Sequence, residues 1–63
     1  MIDYYIEGKK KKAGLKQTDT VEKLLKELCM NPETVLVKIG DEIVTREKKL
    51  KGRIEIIPVF SGG

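Results

Sequence analysis

A single amphipathic stripe, between residues 18 and 30, constrains the fold of this chain more than any other feature. Asp19 or Thr20 can cap the first turn of a helix here. Asn31-Pro32 is expected to stop it, because the residue before a proline is pushed out of the α region. The apolar positions match the i, i+3, i+4, i+7, i+8 template of one helix face completely: Val21, Leu24, Leu25, Leu28 and Cys29.

The other apolar residues alternate with polar ones, which is typical of short, half-buried strands. A first strand is expected over residues 1–7 and a short second strand over 13–17, with the four lysines at 9–12 in a solvated connection. Two more strands, over 34–39 and 42–45, flank Gly40-Asp41, whose Gly-first order is typical of a type II′ hairpin turn. Leu50 anchors a charged connection, and the last strand begins at Ile54.

The order strand, strand, helix, strand, strand, strand predicts an α+β domain with two layers. One helix can cover one face of a mixed sheet of four to five strands, and the first and last strands are expected to pair in its middle. Sixty-three residues make one domain, predicted over 1–60. Residues 61–63 are predicted to be a flexible tail, because Ser and Gly side chains bury too little area to hold the end in place.

No helix remains to cover the second face of the sheet. Alternation puts Tyr5, Leu36, Ile57 and Val59 on that face, beside Phe60. Several apolar side chains clustered next to a mobile tail suggest a surface for docking a partner. The alternative is that Phe60 or the stems of lysines cover these residues.

Gly62-Gly63 suggests a chemical role for the end of the chain. Glycine has no Cβ, so a Gly-Gly end can enter a narrow active site fully extended and present its carboxylate. The chain has no phosphate-binding loop with which to activate that carboxylate. The tail is therefore predicted to be a substrate in another protein's active site; a frayed terminus without a role is the alternative.

Composition excludes several classes of function. Charged residues make up 37% and hydrophobic residues 40% of the chain, no apolar run approaches the roughly 20 residues of a membrane span, and no signal-peptide pattern opens it. The single cysteine, Cys29, allows no disulfide and favours a cytoplasmic location. Without histidine, no zinc or haem site is expected, and Cys29 itself is expected to be a small hydrophobic core residue.

Two segments of the chain resemble the β-grasp sulfur carriers. These carriers are the small subunit of molybdopterin synthase, the thiamine-pathway carrier and the archaeal ubiquitin-like modifiers. The order of elements agrees over the whole chain, and the specific part of the likeness is in residues 35–44, VLVKIGDEIV, and 55–63, EIIPVFSGG. The resemblance implies a ubiquitin-like β-grasp fold. Together with the lysine- and glutamate-rich surface, it favours a heat-adapted, archaeal source.

The resemblance also implies that the chain is a protein co-substrate, not an enzyme, and that it reacts at Gly63. An adenylyltransferase of the ubiquitin-activating type would use ATP and magnesium to make an acyl-adenylate there, and a persulfide protein would convert it to a thiocarboxylate. A synthase or thiolase would accept the sulfur for thiamine, molybdopterin or a thiolated tRNA base. In ubiquitin-like use, a lysine amine would attack the activated Gly63 instead.

The same resemblance implies a role for each tail residue. Gly62 would let the terminus pass through the partner's channel, and Ser61, Phe60 and Val59 would be gripped as an extended segment. The carrier would bind no cofactor or metal of its own and would be a monomer when alone.

The basic residues suggest a different class of function, nucleic-acid binding. Only two arginines and 5% aromatic residues are available for reading or stacking bases, and ten acidic residues are mixed among the basic ones. A solvated charged surface is therefore the preferred interpretation. In the turn before the last strand, Lys51 and Arg53 flank Gly52, where the carriers usually have acidic residues. The residues that could contact phosphates are Lys9, Lys10, Lys11, Lys12, Lys16, Lys48, Lys49, Lys51 and Arg53.

Overall fold

The structure is a computed structural model, and it describes residues 1–59. Its element order confirms the predicted α+β class and the β-grasp arrangement. The elements are β1 (Ile2–Ile6), β2 (Lys9–Ala13), α1 (Val21–Glu27), a 3-10 turn (Pro32–Thr34), β3 (Val35–Ile39), β4 (Glu42–Val44) and β5 (Ile54–Pro58).

The five strands form one mixed sheet in the order β2-β1-β5-β3-β4. β1 and β5 run parallel, and the other neighbouring strands are antiparallel. The predicted pairing of the first and last strands is confirmed, and β5 is the central strand. β5 ends at Pro58, which has no N–H to give to a ladder.

The hydrophobic core lies between α1 and one face of the sheet. The helix contributes Val21, Leu24 and Leu25, and β5 contributes Ile54 and Ile56, all 2% exposed or less. Leu50, predicted to anchor the connection between β4 and β5, is buried in the same cluster. Gly52 is needed in the turn that follows, because its φ is +110° and a Cβ there would lie 3.1 Å from the side chain of Ile39.

The lysine run forms a strand, so the prediction of a solvated connection at residues 9–12 and a strand at 13–17 is wrong. The turn is shorter and earlier than expected: Glu7 and Gly8 have φ of 52° and 79°, the two positive values of a type I′ hairpin turn. β2 then pairs with β1 through Tyr5 opposite Lys10 and Asp3 opposite Lys12. Lysines suit this position because β2 is an edge strand, and charged side chains on an edge oppose pairing with another chain.

The helix ends earlier than the apolar stripe predicts. α1 stops at Glu27, the Cys29 N–H donates to the carbonyl of Lys26 at 3.0 Å, and the Met30 N–H donates to that of Leu25 at 2.8 Å. This pair of bonds is a Schellman motif, with Cys29 at φ 56° in the position that glycine usually takes. The turn places Cys29 at the surface, so the expectation that it belongs to the core is wrong.

Candidate docking face and carboxyl-terminal strand

The sheet face turned away from α1, here called the open face, carries the residues predicted to dock a partner. Residues that pair directly across strands share a face, so the register defines its members. One row crosses all five strands and consists of Lys10, Tyr5, Glu55, Lys38 and Ile43. The neighbouring residues of the open face are Asp3, Lys12 and Arg53 towards the start of β5, and Leu36, Ile57 and Val59 towards its end.

Leu36, Ile57 and Val59 form the apolar end of the open face. Leu36 pairs with Ile57 across β3 and β5, and Val59 lies two residues further along the same side. Leu36 and Val59 are each 45% exposed, whereas Ile57 is half-buried. The Val59 N–H donates to the carbonyl of Thr34 at 2.8 Å, which holds the chain against β3 one residue beyond β5. Three of the predicted docking residues therefore lie together.

Tyr5 is on the predicted face but apart from the apolar end. It lies one row towards the start of β5, and its side chain is half-buried. The guanidinium of Arg53 lies over its ring, 4.2 Å from the centroid, a cation–π contact. Arg53 thus covers the aromatic face that the sequence analysis assigned to a partner.

Phe60, Ser61, Gly62 and Gly63 lie outside the described residues. Their predicted roles, the gripping of Phe60 and Ser61 and the reaction at Gly63, stay predictions. The described residues show where the chain leaves the sheet on its way to these four residues. β5 runs along the centre of the sheet and ends beside the apolar end.

Ile43 is an exposed apolar residue of the open face that the sequence analysis missed. It is 59% exposed and lies opposite Lys38, at the edge of the sheet. The signal was available, since a two-residue turn at Gly40-Asp41 fixes the register of the hairpin. Counting out from that turn puts Ile43 on the same side as Lys38 and Val44 on the core side.

Lys10, Lys12 and Arg53 form the basic end of the open face. Lys10 Nζ lies 3.5 Å from Asp3 Oδ2, and both side chains are about half exposed. Lys12 pairs with Asp3 across β1 and β2. Arg53 lies on the same face of the sheet, one residue before β5 begins. The basic end is thus on the β1–β2 side of the sheet, away from the apolar end.

A groove of about 590 Å³ flanks the end of β5 on the other side of the sheet. It lies between the chain that leaves α1, at Met30, and the end of β5, at Pro58 and Val59. Val59 therefore belongs to the apolar end of the open face and also lines this groove. A partner that grips the segment after β5 would find concave surface beside it.

Among residues 1–59, two carboxyl groups have a lowered pKa, and both lie away from the open face. The pKa of Asp19 is lowered chiefly by the backbone N–H of Lys16, which donates to Oδ2 at 2.8 Å, and further by the Lys23 ammonium 3.3 Å from Oδ1. The pKa of Glu47 is lowered chiefly by a hydrogen bond from the Thr45 side chain. Both shifts have structural causes in the segments that meet at the start of α1.

Comparison with known families agrees with this architecture. A family model described as the ThiS family matches residues 3–63, which begins one residue into β1 and includes the other four strands, the helix and the Gly-Gly end. The chain belongs to the ThiS family. The resemblance to β-grasp sulfur carriers is therefore confirmed. No curated protein matches the chain.

ThiS-family proteins are small carriers rather than enzymes, so the chain has a sulfur-carrier role in general terms. Family membership also implies contact with an adenylating enzyme and with proteins that accept the sulfur. Within residues 1–59, no helix is long and apolar enough to cross a membrane. The cytoplasmic location and the archaeal source stay predictions.

Proposed function

We propose that the chain carries sulfur as a thiocarboxylate on Gly63, made by an adenylating enzyme and donated to a synthase or thiolase. The observation that carries the proposal is the ThiS-family match, which extends through Gly62 and Gly63. The products served would be thiamine, molybdopterin or a thiolated tRNA base. The carrier would bind no cofactor itself, and ATP and magnesium would be used by the enzyme.

The chemistry needs little from the carrier except a reachable carboxylate. A Gly63 oxygen attacks the α-phosphate of ATP, and pyrophosphate leaves. A persulfide sulfur of the partner then attacks the acyl carbon and AMP leaves, which gives an acyl disulfide. A thiol cleaves the S–S bond, so that the terminal sulfur stays on Gly63 and the thiol is oxidised to a disulfide. Glycine at both last positions removes side chains that would block this approach.

The open face supports the proposal by offering a surface where β5 ends, five residues before Gly63 in the sequence. Leu36 and Val59 expose apolar area, and β5 ends beside them. We propose that the apolar end packs against the enzyme while the following residues enter its active site as an extended segment. Phe60 would extend this contact surface, and Tyr5 would lie at its margin beneath Arg53.

The proposal is tested by the intact mass of the carrier after incubation with the host's adenylating enzyme, ATP, magnesium and a persulfide source. We expect one oxygen of the chain to be replaced by sulfur. A variant lacking Gly63 should remain unchanged, whereas Asp41→Asn, which keeps both glycines and changes an exposed turn residue far from them in the sequence, should still be converted. Pyrophosphate exchange measured in parallel reports the adenylation step alone.

Three results separate the alternatives. Absence of both the mass change and Gly63-dependent exchange would overturn the proposal. Gly63-dependent exchange followed by adducts on lysines of other proteins would favour the second use of the same end, as a ubiquitin-like modifier. Sulfur transfer from the thiocarboxylate to one purified acceptor and not to others would identify the pathway.

A further inference from the structure

The basic end of the open face has no role in the chemistry proposed for Gly63. Arg53 and Ile57 are four residues apart on the same side of the central strand, so about 13 Å separates the basic end from the apolar end along β5. Both ends therefore fit within the roughly 800 Å² that one partner covers in an interface of standard size.

The cations of the basic end are directed to solvent and only loosely paired. The ion pair of Lys10 with Asp3 has half-exposed side chains, a class of pair that contributes little because water screens it. Within residues 1–59, no carboxylate oxygen lies within 4.0 Å of the Arg53 guanidinium, which instead lies over Tyr5. Stacking on the ring fixes the plane of the guanidinium and leaves its N–H groups to meet a carboxylate through two parallel bonds.

Protection of the sheet edge explains only part of this arrangement. Edge lysines that oppose aggregation can point to either side of β2, and Lys9 and Lys11 do point to the helix side, opposite Ile6 and Tyr4. Arg53, however, is not on an edge strand. It lies across β1 from Lys10 and Lys12, so cations from two separate segments flank Asp3 and Tyr5 on the face that also carries the apolar end.

We propose that the basic end is a specificity contact for the adenylating enzyme, which presents carboxylates to Lys10, Lys12 and Arg53 while its apolar surface covers the apolar end. The inference rests on the function proposed above and adds the chemistry of the partner's surface. Charges at the rim of an interface act mainly on the rate of association and on the choice of partner. The basic end would therefore exclude adenylating enzymes whose facing surface is basic.

Nucleic acid fits this face less well than an acidic protein surface does. Asp3 pairs with Lys12, and Glu55 lies in the row of Lys10 and Tyr5, so both carboxylates lie among the cations of the open face. They would repel a phosphate backbone that lay along this face. The ring of Tyr5, the one aromatic side chain of the open face among residues 1–59, is already covered by Arg53, so no base can stack on it. The exposed apolar area of Leu36 and Val59 also gains nothing from contact with phosphates.

The test is the steady-state dependence of Gly63-dependent pyrophosphate exchange on carrier concentration, with the host's adenylating enzyme. The triple variant Lys10→Glu/Lys12→Glu/Arg53→Glu reverses the basic end. The matched control Lys9→Glu/Lys11→Glu/Lys26→Glu makes the same change of charge at exposed residues on the helix side. We expect the Lys10/Lys12/Arg53 triple to raise the KM for the carrier about tenfold or more with kcat unchanged. The control should change this KM less than about threefold.

A second set of measurements keeps the result independent of folding. The neutral variant Lys10→Gln/Lys12→Gln/Arg53→Gln should raise KM by an intermediate factor, and added salt should raise the wild-type KM but not that of the neutral variant. Equal effects of the two Glu triples, or no effect of either, would overturn the inference while leaving the carrier function intact. The inference would also be overturned if the wild-type chain bound bulk tRNA in a salt-dependent way, the Lys10/Lys12/Arg53 triple to Glu abolished that binding, and the Lys9/Lys11/Lys26 triple kept it. Absence of exchange with the wild-type chain would overturn the proposed function and this inference together.

Discussion

The backbone N–H of Val21 donates to the carbonyl of Lys48 at 2.9 Å and so joins the first residue of α1 to the connection between β4 and β5. The Glu22 N–H donates to the carbonyl of Arg46 at the same distance, and the Leu50 N–H donates back to that of Asp19. The first N–H groups of a helix have no partners within it. Here a distant segment supplies acceptors, so the helix start and this connection hold one another in place.

Leu50 is the side chain that secures this connection, so its truncation should destabilise the whole domain. It is 1% exposed, and Leu→Ala at such a site costs about 2–5 kcal/mol in the free energy of unfolding. The whole free energy of unfolding of a domain of this size is roughly 3–9 kcal/mol. We expect Leu50→Ala to remove most of the stability, measured as the midpoint of urea unfolding by circular dichroism.

Ile43→Ala is the matched control for that measurement, because Ile43 is an aliphatic residue that is 59% exposed. Its effect should stay within about 0.5 kcal/mol. A loss at Leu50 as small as the loss at Ile43 would mean that the connection does not anchor the core.

Asp19 should make part of the stability depend on pH. Its pKa is lowered in the folded chain by the Lys16 N–H and the Lys23 ammonium. A lowered folded pKa stabilises the fold above the unfolded value, about 3.9, and this contribution disappears as the pH falls through the folded pKa. We expect Asp19→Asn to lower the urea midpoint at pH 6 and to have a smaller effect at pH 2, because the contribution of the carboxylate falls as the pH drops below the unfolded pKa.

Asp41→Asn removes the same charge from an exposed turn and serves as the control. It should show a smaller difference between its effects at the two pH values. If Asp19→Asn were equally destabilising at pH 6 and pH 2, the carboxylate charge would have no part in holding this segment.

The sequence predicted best those features that depend on local pattern. The apolar stripe predicted the buried side of α1, the Gly40-Asp41 pair predicted the hairpin turn, and alternation put Leu36, Ile57 and Val59 on one face. The Arg53–Tyr5 contact could not be predicted, because it depends on the parallel register of β1 against β5, two segments at opposite ends of the chain.

The errors arose where an unusual residue occupies a standard turn. Glu7 takes a positive φ in the hairpin turn, a position more typical of Asn, Asp or Gly, so the sequence predicts a loop where the lysines form a strand. Charge alone cannot separate a solvated loop from an edge strand, because both face water. In the same way, Cys29 continues the helical spacing but occupies the position after the helix that usually requires glycine.

Cys29→Gly should therefore stabilise the domain. The left-handed conformation at φ 56° costs an L-residue about 1–2 kcal/mol, and glycine avoids this cost. Part of the gain is offset because glycine makes the unfolded chain more flexible and so lowers its free energy. We expect a gain of about 0.5–1 kcal/mol in the free energy of unfolding, measured with urea. Cys29→Ala keeps a Cβ and should be nearly neutral, so equal gains from the two variants would contradict a backbone origin.

Leu36→Ser should weaken the contact with the adenylating enzyme without disturbing the fold. Leu36 is 45% exposed, so we expect the free energy of unfolding to change by less than about 1 kcal/mol. If the apolar end packs against the enzyme, losing this side chain from the centre of the contact should cost about 1–2 kcal/mol of binding. That corresponds to a rise of about fivefold to thirtyfold in the KM for the carrier in pyrophosphate exchange.

Ile43→Ser provides the comparison, since Ile43 is on the same open face and more exposed, but lies on the edge strand β4 and outside the apolar end. It should leave KM within about twofold. Equal increases for the two variants would extend the contact across the sheet to β4. No increase for either, with both chains folded, would mean that the enzyme grips only the residues that follow β5, and the docking role of the open face would be wrong.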